Sequence, residues 1–162
     1  MLSKGPPRTP GSRRLVQRAM HLWWRFSRPM TLGVRAALIH PQRGVFLIEH
    51  TYTPGWYMPG GGVETGETAL DALAREVAEE GNIVLQGPAE LHGLFFNVSV
   101  SPRDHVAVFV CRDFHQTAPK NPDREIRDSG FFPLDALPEG TTRATRARLA
   151  EIAGEVPRSP TW

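Results

Sequence analysis

The sequence predicts an α+β fold in a single domain, and three observations carry that reading. Candidate strands and helices follow one another without a regular strand–helix–strand alternation, which argues against a doubly wound parallel sheet. Two apolar runs, Leu91 to Val100 and His105 to Phe114, are separated by a short polar stretch containing Ser101-Pro102-Arg103, a spacing that suits an antiparallel pair. Residues 68–80 carry the strongest helical pattern in the chain. At 162 residues and 40% hydrophobic content, the chain can build one real core.

Taken in order, residues 1–12 are rich in Pro, Gly and basic side chains and are expected to be a disordered basic tail. Residues 13–30 form an amphipathic basic segment, helical over 13–28. Leu15, Ala19, Leu22, Trp23 and Phe26 recur at helical spacing, Arg14, Arg18, His21 and Arg25 form a second stripe, and Pro29 ends the run. Thr31 to His40 reads as a strand, Pro41-Gln42-Arg43-Gly44 as a turn and Val45 to Glu49 as the returning strand. Thr53-Pro54-Gly55 and Pro59-Gly60-Gly61-Gly62 mark loops, and residues 115–124, with two prolines, a third. Phe131-Phe132-Pro133 ends a short strand, Thr141 to Ala153 closes the domain as a helix, and residues 157–162 are expected to be a loose tail.

Charge is distributed unevenly. Residues 1–48 hold nine Lys/Arg and no Asp or Glu, so all 17 acids fall in the remainder and a basic arm precedes an acidic body. No run approaches the ~20 apolar residues of a membrane-spanning helix. The arm lacks the continuous apolar region of a secretory signal, which points to the cytoplasm. Its Arg-rich, acid-free composition would also suit a transit peptide in a eukaryotic source. The single Cys111 forbids an intrachain disulfide, and its place in an apolar run predicts a buried structural thiol.

The chemistry concentrates in Gly61 to Ile83. Thr68 can cap a helix, with Asp71 as its capping-box partner. Leu70, Leu73, Ala74 and Val77 fall at i, i+3, i+4 and i+7 and are expected to face the core. Glu76, Glu79 and Glu80 fall within one turn on a neighbouring face, with Ala69 and Ala72 leaving room beside them. Like charges so placed repel, and a hard divalent cation between the carboxylates would relieve the cost. A merely solvated acidic face is the alternative reading of those three residues.

The wider pattern decides between them. Gly61, then five residues, Glu67, then seven residues, then Arg75-Glu76-Val77-Ala78-Glu79-Glu80 and finally Ile83 resembles the Nudix box in register. The box ends in Gly-aliphatic, and Asn82 stands in place of that Gly. A chain reversal with positive φ is the expected use of the position, and Asn is the best non-Gly residue for it. The run Trp56-Tyr57-Met58-Pro59-Gly60-Gly61-Gly62 and the later Phe131-Phe132-Pro133-Leu134 extend the resemblance, which covers about residues 31–153 of a domain placed at 31–156.

The resemblance implies an α/β/α sandwich with a mixed sheet. It implies a pyrophosphohydrolase that splits a diphosphate linkage in a nucleoside diphosphate joined to another moiety, such as a nucleoside triphosphate, sugar nucleotide or dinucleotide. It places Mg²⁺, or alternatively Mn²⁺, on Glu76, Glu79 and Glu80, with a backbone carbonyl near Gly61 as a further ligand. Arg75 positions the carboxylates, with Glu67 as its partner, and Glu76 or Glu79 is a candidate general base. Asp123 and Glu125, beyond a Pro-containing loop, are the other base candidates. Trp56, Arg35 and Glu125 are candidates for substrate contact, and Trp56, Tyr57, Phe95 and Phe96 could stack on a base.

Three alternatives compete. A non-catalytic binding module on this fold would be expected to lose box carboxylates, and none is lost. A prenyl diphosphate isomerase would need a cysteine in the site, whereas Cys111 falls in a core strand. The basic helix 13–28 could contact nucleic acid or an anionic membrane, or pack on a second subunit in a homodimer. Docking on the acidic body of its own domain is the favoured expectation.

Overall fold

In the computed structural model the described residues are Gln17, Met20, Trp23 and 29–162. The tail expected over 1–12 lies outside them, as does the amphipathic helix over 13–28 except for those three single residues, which are helical. Thr31–Trp162 is a unit by itself. Its elements are β1 (Thr31–His40), β2 (Gly44–His50), β3 (Trp56–Tyr57), α1 (Ala69–Gly81), β4 (Ile83–Leu85), β5 (Ala89–Phe96), β6 (Asp104–Cys111), β7 (Phe114–Gln116), β8 (Ile126–Phe132) and α2 (Arg143–Ile152). No helix among the described residues is long and apolar enough to cross a membrane.

The main sheet runs β3-β2-β1-β6-β5, with β8 on the other edge of β2. β1 and β6 are parallel and the remaining pairs antiparallel, so the sheet is mixed. Side chains alternate across it, as the two-residue strand period requires. On one face Val34, Ala36, Leu38, Phe46 and Ile48 pack with Leu73 and Val77 of α1. On the other, Ala37, Ile39, Val45 and Leu47 pack with Leu149 of α2. Helices cover both faces, which gives the α/β/α sandwich and explains why β1 and β2 read as nearly continuous apolar runs. Cys111 is buried in the first of these cores, and burial pushes its thiol up to about 12.

β1 and β2 pair directly only at Ile39↔Val45 and His40↔Gly44, beside the turn. Beyond that they diverge, and residues 56–63 fill the wedge. Trp56 and Tyr57 pair with β2, while Ala36 donates to Pro59, Val34 donates to Gly61 at 2.8 Å, and Val63 donates to Leu32. Backbone of this segment runs against backbone of β1, and a Cβ on Gly60 (φ 142°) would collide with the Val34 carbonyl. The segment expected to be a plain loop is therefore part of the sheet wall.

α1 begins at Thr68, whose hydroxyl accepts from the Asp71 N–H while the Asp71 carboxylate accepts from the Thr68 N–H. Such a capping box contributes about 1 kcal/mol. The helix ends at Asn82 in the left-handed conformation, φ 53°. Its buried face differs from the expected stripe. Ala72, Leu73 and Val77 are buried with Glu80 and Gly81, whereas Leu70 and Ala74 are exposed. The helix is rotated so that the carboxylate side borders the sheet.

Two further expectations change. His115 and Gln116, expected in a loop, join Phe114 in β7 and pair with β4. Residues 157–162 are not loose: Phe96 donates to Pro160 and Trp162 donates to Phe96, both at 3.0 Å, so the segment straps onto β5.

Candidate active site

The rotation of α1 turns Glu76 and Glu80 toward the glycine segment. Glu80 is buried, and its Oε2 accepts from the Gly60 N–H at 2.7 Å. Burial pushes this carboxyl up to about 7, against the pull of the Gly60 N–H and of Arg35, with Glu76 adding to the rise. Glu76 abuts Gly61 so closely that a Cβ there would meet the carboxylate. Only glycine admits the carboxylate at that distance, which is a physical reason for Gly61 in the pattern. Glu79 points outward, its side chain 62% exposed.

Arg75 ties these groups together. Its Nε and Nη2 donate to the two oxygens of Glu67 at 2.9 and 3.1 Å, its Nη1 to Glu76 at 2.7 Å, and its Nη2 to the Gly62 carbonyl at 3.1 Å. Glu79 lies 3.5 Å from Nη1. One planar guanidinium so binds the loop before the helix to two helix carboxylates, a fork geometry that Lys could not reproduce. The hydrogen bond from Arg75 holds the Glu67 carboxyl below its ordinary value.

Arg35 on β1 donates to the Met58 and Gly60 carbonyls at 3.1 and 2.6 Å, and so braces the same segment from the opposite side. His50, at the end of β2, is buried with Nε2 3.9 Å from Glu80. Its Nδ1 has no hydrogen-bond partner. Burial and then the charge of Arg35 lower its pKa, so it is neutral at pH 7 and does not neutralise Glu80. Tyr52 stacks on it at 4.9 Å between ring centroids. His50 and Tyr52 were not singled out by the sequence. The only signal was a histidine in phase with the inward-facing positions of a strand.

The remaining expected residues separate. Glu125 is exposed, and its charge acts on Glu80, His50 and Tyr52. Asp123 is engaged by the Ile126 and Glu125 N–H groups at 2.8 Å each and by Lys120 at 2.5 Å, which pulls it down to about 2. A carboxylate so satisfied is a turn cap and a poor base. Trp56 packs edge-on against Phe132, centroids 4.8 Å apart, on the α2 side of the sheet. Phe95 is buried, and Phe96 packs on His105 at 5.4 Å. Of these four aromatics, Tyr57 reaches open space. With Arg35, Gly61 and Gly62 it lines a cavity of about 540 Å³, a volume that suits a nucleoside-sized group.

The donor set suits a hard divalent cation. All three acids are carboxylates, and burial of Glu80 outweighs the favourable charge of Arg35, so its ionised form would gain from a further cation. Among the described residues, no three Asp, Glu, His or Cys side chains already form a closed cage. Glu76 and Glu79 turn to Arg75 instead. The Gly61 carbonyl accepts from Val34, which leaves it one lone pair.

Comparison with known proteins identifies the family of the chain. The family profile described as NUDIX domain matches residues 29–151. The chain is 34% identical over 104 residues to the mutator protein MutT4 of Mycobacterium tuberculosis, spanning 62% of this chain and 42% of that protein's length. Among solved structures, the MutT NUDIX hydrolase of Burkholderia pseudomallei superposes with a TM-score of 0.66 at 27% identity, over 76% of this chain and 98% of that one. An ADP-ribose pyrophosphatase of Streptococcus suis superposes with a TM-score of 0.55 at 25% identity, over 83% and 96%.

Proposed function

The chain belongs to the Nudix family, and from that premise we propose that it is a metal-dependent pyrophosphohydrolase acting on a nucleoside diphosphate linked to another moiety. The observation that carries the proposal is the convergence of Glu76 and Glu80 on the glycine segment, with Arg75 clamping the loop, helix and Glu79. Glu76, Glu79 and Glu80 would hold Mg²⁺ or Mn²⁺. A cation held there would supply charge neutralisation on the diphosphate and would make a water more acidic.

The protein's own part is positioning. Arg75 holds Glu76 and Glu67 in fixed relation, and the Gly60 N–H aims the Glu80 carboxylate. The glycine segment admits a substrate backbone beside the carboxylates, and the cavity beside Tyr57 receives the group attached to the diphosphate. Phosphoryl transfer asks little covalent chemistry of a protein, so such positioning is the main demand. Proton removal from water falls to an ionised carboxylate at the site. Glu79 and Glu125 are exposed enough to exchange protons with solvent, whereas Asp123 is engaged.

The similarity to an ADP-ribose pyrophosphatase makes ADP-ribose the first substrate to try. The test is a panel of ADP-ribose, UDP-sugars, dinucleotides and nucleoside triphosphates with Mg²⁺ or Mn²⁺, products separated by chromatography. Release of a nucleoside monophosphate, or of pyrophosphate from a triphosphate, is the expected result. Metal-dependent binding of nucleotides without any cleavage would favour the non-catalytic module.

A further inference from the structure

We propose that Trp162 is a specificity-determining residue, its indole forming the wall on which a nucleobase stacks in the cavity beside the glycine segment. The inference rests on the diphosphate reading above and assigns the far half of the same substrate.

The strap that carries Trp162 is held with unusual care for a surface segment. Arg148 is buried. Its Nη1 donates to the Thr161 carbonyl at 2.7 Å and its Nη2 to Glu151 at 2.6 Å. The same Glu151 accepts from the Ser159 N–H at 2.9 Å and lies 3.1 Å from His92. A buried ion pair contributes little net stability, and in some proteins its gain is a fixed arrangement. Here the arrangement fixed is the path of residues 159–162. Two backbone hydrogen bonds to Phe96 complete it.

The path brings Trp162 to the cavity. Part of the indole packs edge-on against Phe95, centroids 6.1 Å apart, and Arg148 lies 5.9 Å from its centre. Trp162 also lines the cavity that contains Tyr57, Gly61 and Gly62. A substrate with its diphosphate at Glu76 and Glu80 therefore extends past Gly61 and Gly62 into a space bearing two aromatic residues. The cavity's polar groups suit a heterocycle more than an acyl chain. Asp104 accepts from Thr31 at 2.6 Å and from Asn97 at 2.7 Å, one donor on each oxygen, which leaves acceptor capacity free. Stacking of a base on an aromatic side chain is worth enough to change affinity about tenfold.

The test is calorimetric binding to full-length protein in Mg²⁺ with two probes. One is adenosine 5′-(α,β-methylene)diphosphate, and the other is methylenediphosphonate, which keeps the diphosphate and lacks the base. Trp162→Leu retains apolar bulk without an aromatic face, and Trp162→Phe restores one. We expect the Leu variant to bind the nucleotide probe about tenfold more weakly and the base-free probe within twofold. The Phe variant should recover most of the loss. Nucleotide binding should also quench tryptophan emission in the wild type and less so in Trp162→Phe, a reading that does not require the Leu variant to fold. Unchanged nucleotide affinity in the Leu variant, or equal loss with both probes, would overturn the assignment. Wild-type protein that binds the base-free probe and not the nucleotide would overturn it and leave the diphosphate reading standing. Binding of neither would overturn both.

Discussion

At the scale of single residues, Glu80 is the most telling group. Its carboxyl is raised to about 7 in the folded protein, above the ordinary 4.5. Between those values the folded state binds more protons than the unfolded one, so stability falls as pH rises. Metal-free protein should thus lose stability from about pH 4.5 to 7, and Glu80→Gln should lack that component. His50 works in the opposite sense. Its lowered pKa gives stability that is present above 6.5 and lost as pH falls, so the difference between wild type and Glu80→Gln isolates the carboxylate. Thermal unfolding at several pH values measures both, and Mg²⁺ should stabilise the protein more at pH 8 than at pH 5.5. Gly61→Ala would place a methyl against Glu76. We expect a loss of turnover on the order of a hundredfold, since a displacement of about an ångström at a positioning site costs that much. Turnover near wild type would show that Glu76 has room to move.

At the scale of elements, α1 shows what periodicity does and does not encode. Its limits, its capping box and its three clustered carboxylates were legible in the residues Thr68 to Asn82. Its rotation was not. Leu70, Leu73, Ala74 and Val77 form an acceptable apolar stripe, but the stripe through Ala72, Leu73, Val77 and Glu80 was the one buried. Two overlapping stripes share Leu73 and Val77, and contact with Phe46 and the glycine segment selects between them. The wedge of residues 56–63 was equally hidden, because its partners on β1 stand more than 20 positions away and glycines carry no strand pattern. The end of α1 gives a further prediction. Asn82 is left-handed, and its side chain donates to Pro119 at 3.2 Å. Asn82→Gly should change stability little, relief of backbone strain offsetting the lost bond. Asn82→Val should cost about 1–2 kcal/mol. Urea unfolding distinguishes them, and a Gly variant as unstable as the Val variant would make the Pro119 contact the controlling one.

At the scale of the whole molecule, the sandwich uses its two faces differently. One places carboxylates of α1 against a glycine segment. The other brings α2, a buried ion pair and a strap to the far side of the same segment. The box and the sandwich class could be read from the chain. The docking of residues 157–162 could not, since it depends on Arg148 and Glu151 meeting backbone groups that no local pattern announces. The central claim is that carboxylates of α1 hydrolyse a diphosphate through a bound divalent cation. Its most direct measurement is turnover of the best panel substrate by chelator-treated protein, before and after Mg²⁺ is restored, in wild type, Glu79→Gln and Glu80→Gln. Chelator should abolish turnover, Mg²⁺ should restore it, and both folded variants should turn over about a hundredfold more slowly. Full turnover in excess chelator, or wild-type rates in both variants, would contradict it.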